Sequence, residues 1–424
     1  MRGRRPDRRG RGRPLVVVVS VAVLAASCGG NEGDWASTPS TSSPTTSPTS
    51  PTSTISPTST ISPTSTTSPA TAAQAMQHVL DELRDESAAP GVLALVRTGD
   101  EEWFGAAGSA DIEGAAIDAS TRFRIGSITK ILTSALVLDA VARGELGLDD
   151  AVQAWIPGVL PAEPTITIRM LLSHTSGIFN AGDEGDVAAD MARISDPTLR
   201  EQAQDIGARY LAGESVIAPD VVLVALAGTH PLYFEPGTGY HYSNVNYHLA
   251  AMVLAAATGK DFATLLQERT ATPLGLSSTS TAPDDLRLPD MRSYTKDPAT
   301  GEAIDSTADL LAVGNGGSGG VVSTAGELLD ILHAIVAGDM LPAPLTAEMV
   351  TPTEQSSGTY GLGVVTFDLA CGSYLGHGGA IAGMHTLALV SPDANTGVVL
   401  AANLRGDPEP NLLAAAERLM CDAR

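Results

Sequence analysis

Ser127 and Lys130 stand three residues apart in Phe123-Arg124-Ile125-Gly126-Ser127-Ile128-Thr129-Lys130, directly ahead of an apolar run from Ile131 to Val141. Positions i and i+3 share one face of a helix, so a Lys130 amine there reaches the Ser127 hydroxyl. A serine becomes a nucleophile only when a neighbouring base takes its proton, and a lysine whose charge is disfavoured can be that base. Tyr242 and Asn244, two apart in Pro236-Gly237-Thr238-Gly239-Tyr240-His241-Tyr242-Ser243-Asn244, offer a second proton acceptor and an amide for a substrate carbonyl. In extended chain that spacing aims both side chains the same way, although each suits a structural loop equally well. Gly376-His377-Gly378-Gly379-Ala380 lies between two strand-like runs, where glycines allow close backbone approach to a ligand. His377 could pass protons or hydrogen-bond Tyr242, or be a satisfied structural histidine. Ser293-Tyr294-Thr295-Lys296 repeats the serine–lysine spacing, but it runs into Asp297-Pro298 and reads as a turn. Gly316-Gly317-Ser318-Gly319-Gly320 fits a G-x-S-x-G nucleophile elbow, yet no convincing strand precedes it.

These side chains need a scaffold. Ala72–Ala88 reads as an amphipathic helix stopped by Pro90-Gly91, and Val92–Val96 with Glu102–Gly108 as a β-hairpin. From about 127 to 310 the pattern is helical with turns. Within it, residues 180–228 carry nine acidic side chains against three arginines and read as a helical insertion, a candidate lid. Tyr247–Ala257 is another amphipathic helix. Strand character returns at Val321–Ser323, Gly361–Phe367, Gly372–Leu375, Thr386–Val390 and Val398–Leu404, with helices at Ala325–Ala337 and Leu412–Met420. The expected class is α+β: a sheet flanked by N- and C-terminal helices, with an all-helical lobe inserted at about 127–310.

The first 71 residues read differently. Seven arginines by position 13, the run Leu15–Leu24 and Ala25-Ala26-Ser27-Cys28 make an export signal over 1–27, with Cys28 placed to accept a lipid. Residues 28–71 form a Ser/Thr/Pro-rich linker containing the hexamer Pro51-Thr52-Ser53-Thr54-Ile55-Ser56 and its exact copy from Pro57, a composition that buries no core. The remaining domain, 72–424, is long enough for a large core. Without residues 1–27 the chain holds 18 basic and 47 acidic residues, a net charge of −29. That balance argues against nucleic acid or anionic lipid headgroups as partners. Cys371 and Cys421 are then an even remainder that permits a disulfide in an exported protein.

Ser127-x-x-Lys130, Tyr242-Ser243-Asn244 and His377-Gly378-Gly379, in that order, resemble the active-site motifs of the serine β-lactamase and penicillin-binding protein superfamily. The nearest branch is that of class C β-lactamases, D-alanyl-D-alanine carboxypeptidases and esterases. Leu171–Ile178, Gly319–Thr324 and Tyr360–Gly363 support the likeness, which covers roughly Ala75 to Met420. The resemblance implies an antiparallel sheet and an acyl-enzyme on Ser127, with Lys130 and Tyr242 sharing proton transfer and Asn244 positioning the substrate amide. It also implies His377 in the third motif with Gly378 and Gly379 beside the substrate, and an oxyanion hole from the backbone N–H groups of Ser127 and Ala380. His174 belongs to a structural turn. Neither metal nor cofactor is implied. The implied partner is a small acyl or peptide substrate, such as a peptidoglycan peptide or a β-lactam. The export signal and Cys28 place the expected protein at the outer face of the bacterial cytoplasmic membrane, held by its lipid alone, and a monomer is expected. One departure bears on substrate: carboxypeptidases of this branch place hydroxyl residues after the motif histidine and an arginine nearby. Gly378, Ala380 and the arginine-free stretch Tyr360–Leu375 stand there instead.

Overall fold

Val92-Leu93-Ala94-Leu95-Val96 is apolar at every position rather than at alternate ones, which requires a strand covered on both faces. The computed structural model, which describes residues 69–424 apart from 161–163, 182–186, 282–288, 298, 310–315, 382, 407–408 and 423–424, places it so. The strand is β1 (Gly91–Thr98), hairpinned to β2 (Glu101–Gly108). The C-terminal strands are β3 (Val365–Leu369), β4 (Gly372–Ile381), β5 (Met384–Val390) and β6 (Thr396–Ala402). Together they make one antiparallel sheet in the order β2-β1-β6-β5-β4-β3.

On one face Val92, Ala94, Leu389 and Leu400 pack with Leu80 and Leu83 of helix α1 (Pro69–Ser87) and with Leu412 and Ala416 of the C-terminal helix Leu412–Glu417. On the other, Leu93, Leu95, Ala388 and Val399 join the larger core that contains α2 (Thr129–Ala142). α2 buries 11 of its 14 residues, including Lys130, and so is a central helix apolar nearly all round. The lobe beyond it holds α3 (Val187–Arg193), α4 (Pro197–Leu211), α5 (Asp220–Ala227) and α6 (Asn244–Thr258). Met191, Ile194, Ala203, Val222 and Leu226 give the 180–228 insertion a small core of its own.

Several expectations are corrected. The lobe is not all-helical, because Ser280–Thr281, Tyr294–Lys296 and Ala303–Asp305 are short strands. Ser293–Lys296 is therefore not a turn. Buried Tyr294 anchors a strand paired with Ala303–Asp305 and Leu404–Arg405, and the turn follows at Asp297, whose carbonyl accepts from the Gly301 N–H. The strand expected from Gly361 starts at Val365, because Gly361–Val364 closes a tight turn in which the Gly361 N–H donates to the Val364 carbonyl. His377-Gly378-Gly379 sits inside β4 rather than between strands, and α6 begins at Asn244, three residues early. Ala325–Ala337 is helical over the expected residues, capped by the Thr324 hydroxyl accepting from the Glu327 N–H.

Cys371 and Cys421 form a disulfide that ties the β3–β4 turn to the end of the chain. Closing a loop of 50 residues restrains the unfolded chain by about 4 kcal/mol in the chain-entropy account. The double variant Cys371→Ser/Cys421→Ser is expected to lose a comparable amount in urea unfolding, and a loss below about 1 kcal/mol would show that this tie is slack. Residues 1–68, with Cys28 and the linker, lie outside the described residues.

Candidate active site

The turn Gly126–Ile128 delivers Ser127 to the start of α2, and glycine at two positions lets the turn lie against β4. Gly126 has φ +54°, and a side chain there would sit 3.1 Å from the Ala380 nitrogen. A Cβ on Gly379 would fall 2.3 Å from both the Ile125 carbonyl oxygen and Thr386 Oγ1. β3 pairs only with Gly372–Gly376 of β4, which leaves that side of residues 377–381 to the Ser127 turn. Thr386 on β5 fastens the turn by donating to the Ile125 carbonyl at 2.9 Å.

Lys130 Nζ is the hub of the site. It lies 2.9 Å from Ser127 Oγ, 2.7 Å from Asn244 Oδ1 and 2.9 Å from the Ser318 carbonyl oxygen, and its residue is fully buried. Two of these partners, an amide oxygen and a carbonyl, can only accept, so they take two N–H groups. The third direction points at Ser127 Oγ. As an ammonium, Nζ donates along it, and as a neutral amine it aims its lone pair at the Ser127 hydroxyl. Asn244 is itself held by Asn180, whose Oδ1 accepts from the Asn244 backbone N–H at 2.8 Å.

Tyr242 lies against this hub, with its ring centroid 4.8 Å from Lys130 Nζ. On the other side, the His174 ring packs 4.2 Å from the Tyr242 ring. His174 adopts a left-handed backbone, φ +57°, and its Nδ1 accepts from the Ser243 backbone N–H at 3.2 Å and from Asn246 Nδ2 at 3.1 Å. A backbone N–H can only donate, so the His174 proton sits on Nε2. Burial, and then the Lys130 charge, hold its pKa well below the ordinary histidine value.

His377 is placed beside the hub but with a different partner from the one expected. Its Nδ1 meets the Gly378 carbonyl, which can only accept, so Nε2 accepts a hydrogen bond from the Tyr360 hydroxyl at 3.3 Å. Its ring centre is 6.2 Å from that of Tyr242. Burial, reinforced by Lys130, pushes its pKa down to about 3, while burial pushes Tyr360 well above the ordinary tyrosine value. The polar ring set around Tyr242 is therefore neutral at pH 7.

Sequence reasoning placed Ser127, Lys130, Tyr242, Asn244 and His377 in one site, and the structure brings them together. It missed the contributions of Ser318, Asn180 and Tyr360, and it gave His174 no place beneath Tyr242. Ser318 had surfaced only as a stray G-x-S-x-G match. The strand Val321–Ser323 follows it where an elbow needs a helix, and it is the backbone carbonyl of Ser318 that reaches Lys130.

Buried neutral histidines carry a stability consequence. His377 and His385, pushed by burial to about 3 and about 4, bind fewer protons when folded than when unfolded across the interval below the ordinary value of about 6.5. Stability is therefore full above pH 6.5 and falls as the medium is acidified toward the folded values. The loss is on the order of 3 kcal/mol from His385 alone by pH 4. Calorimetry from pH 7 to 4 should show a falling midpoint, with a shallower slope in His385→Leu, and an unchanged slope in that variant counts against this origin.

Comparison with known proteins agrees with this geometry. The model of the family described as "Beta-lactamase" matches residues 76–420. Esterase EstB of Burkholderia gladioli is 36% identical over 216 residues, 49% of this chain and 51% of that protein. Penicillin-binding protein 4 of Amycolatopsis lactamdurans is 29% identical over 259 residues, 60% of this chain and 61% of that one. The chain thus spans between half and two thirds of the length of these curated relatives. Among solved structures, a D-stereospecific amidohydrolase from Streptomyces sp. superposes with a TM-score of 0.67 at 30% identity, covering 82% of this chain and 98% of that one. A match running through nearly the whole folded region, with the serine, lysine, tyrosine and asparagine gathered as described, settles the kinship: this chain belongs to the beta-lactamase family.

Proposed function

We propose that the protein is a serine hydrolase that works through an acyl-enzyme on Ser127. Its first candidate substrates are amide bonds beside D-amino acids, as in a D-alanyl-D-alanine carboxypeptidase-like peptidase or a β-lactamase-related enzyme. The observation that carries this is the hub at Lys130, whose two obligatory acceptors leave its third direction for Ser127 Oγ. In the proposed cycle the Ser127 proton passes to Lys130 Nζ as Oγ attacks the acyl carbon. The N–H groups of Ser127 and Ala380 hold the oxyanion, and Gly378 and Gly379 let the substrate lie along β4. Asn244 offers its amide N–H to the substrate carbonyl. Collapse breaks the acyl bond, and the departing amine or alkoxide takes its proton back through Tyr242. Water then cleaves the Ser127 ester. His377, neutral and engaged with Tyr360, serves as a wall of the site.

The names of relatives support this reading: D-aminopeptidase of Brucella anthropi, 25% identical over 320 residues, and the D-stereospecific amidohydrolase. An esterase is the second reading. It is favoured by the 36% identity to EstB and by Gly378 and Ala380 standing where a carboxylate-binding site would want hydroxyls. Turnover of a D-alanyl-D-alanine peptide, a D-amino acid amide, a penicillin and a p-nitrophenyl ester by the same preparation separates the two. Ester cleavage with no amide cleavage would sink the first reading. Permanent labelling by a fluorescent penicillin with no turnover of any would instead describe a sensor.

We further propose that the protein is exported and anchored to the outer face of the cytoplasmic membrane through a lipid on Cys28, with the Ser/Thr/Pro stretch as its spacer. Cells making Cys28→Ala should release the domain from the membrane fraction, and retention there would overturn the anchor.

A further inference from the structure

Three buried residues form a chain that reaches the cluster just described through its member Ser318. Asp220 opens α5 in the acidic insertion, His248 sits in the second turn of α6, and Ser318 lies in the glycine-rich loop. They are 2, 2 and 4% exposed. His248 Nδ1 is 2.9 Å from Asp220 Oδ1, and Ser318 Oγ is 3.3 Å from His248 Nε2. An ionised carboxylate only accepts, so Nδ1 donates to Asp220, which leaves Nε2 to share a hydrogen bond with the Ser318 hydroxyl. That order of groups is the one found in Ser-His-Asp triads. Here, however, the serine is enclosed, followed by a strand, and its carbonyl is bonded to Lys130 Nζ at 2.9 Å. The same loop is pinned one residue earlier, where Thr133 Oγ1 donates to the Gly317 carbonyl at 2.6 Å.

We propose that Asp220, His248 and Ser318 are positioning residues: a relay that holds the Ser318 carbonyl on Lys130 Nζ and makes the insertion set the geometry of that amine. Burying a carboxylate is costly unless it is paired and hydrogen-bonded, and a clamp between α5 and α6 would need only the Asp220–His248 pair. The third member extends the chain to a loop whose backbone contacts the hub. The catalytic half of the inference rests on the proposed role of Lys130 toward Ser127.

The chain has three lysines, Lys130, Lys260 and Lys296, so selective ¹³C-lysine labelling of the full chain yields three side-chain ε-methylene signals. Lys260→Arg and Lys296→Arg assign them by elimination. In Ser318→Ala, and again in Asp220→Asn, the Lys130 signal is expected to move while the other two stay. The rate constant for acylation by p-nitrophenyl acetate is expected to drop about tenfold, with KM held within about twofold. Ser318→Thr, which restores a hydroxyl, should recover most of both. A Lys130 signal that overlays the wild type in Ser318→Ala overturns the relay. So does an Asp220→Asn protein that melts earlier with that signal unmoved, since it reveals a clamp alone. The signal is read without substrate, so it stands even if Ser127→Ala shows that turnover does not pass through Ser127, and the two failures remain distinguishable.

Discussion

Ser127→Ala is expected to give no covalent adduct with a fluorescent penicillin and to lower turnover of every substrate by roughly 10⁴-fold or more. The argument is one of irreplaceability. Ser127 is 5% exposed, and its hydroxyl lies 2.9 Å from Lys130 Nζ, beside the contacts of that amine to Asn244 Oδ1 and the Ser318 carbonyl. Removing a single oxygen from the start of α2 leaves the Gly126 turn and its Thr386 tie in place, so the thermal midpoint should stay within about 2 °C of the wild type. Retention of more than about a hundredth of wild-type turnover would place the chemistry on another group, and the acyl-enzyme scheme would fall.

Lys130→Met is the second large effect. It keeps most of the side-chain volume but removes the donor shared by Asn244 Oδ1 and the Ser318 carbonyl. Loss of a positioned base costs about 10² to 10⁴ in rate, and each acceptor left buried without a partner costs about 1–3 kcal/mol. Activity and stability should therefore fall together, unlike in Ser127→Ala. Tyr242→Phe, which leaves the hub intact, is the control: a comparable rate loss with little loss of stability fits its place over Nζ at 4.8 Å. If Lys130→Met acylates at the wild-type rate, the base is elsewhere.

What the sequence could and could not show follows from what kind of group each contact uses. Ser127, Lys130, Tyr242, Asn244 and the His377 glycines are side-chain or glycine signals, legible because spacing and composition mark them. The Ser318 contact to Lys130 is a backbone carbonyl, and any residue type supplies one. His174 was legible as part of a turn, but its place under Tyr242 depends on Ser243 and Asn246, which lie about 70 residues away. Asp220 and His248 are unremarked in the chain, Ser318 is marked only by a stray G-x-S-x-G match, and the triad exists only after α5, α6 and the glycine loop have packed. Among elements, Ala325–Ala337 was readable as a helix over its full length. Tyr294–Lys296 was mistaken because a three-residue strand owes its form to partners at Ala303–Asp305 and Leu404–Arg405 rather than to local pattern.

The order of strands in the main sheet also governs how the molecule comes into being. β1 pairs with β2 on one side and on the other with β6, and the Gly91 N–H closes on Asn403 Oδ1 across 312 positions. During synthesis at about 5–20 residues per second, the first hairpin waits roughly 15–60 s for its second neighbour. Throughout that wait it presents an unpaired edge of Val92, Leu93, Leu95 and Val96 to whatever lies nearby. A transcript ending anywhere before Thr396 makes a chain that can never cover this edge, so truncated products should be swept into aggregates or degraded rather than persist as partial domains.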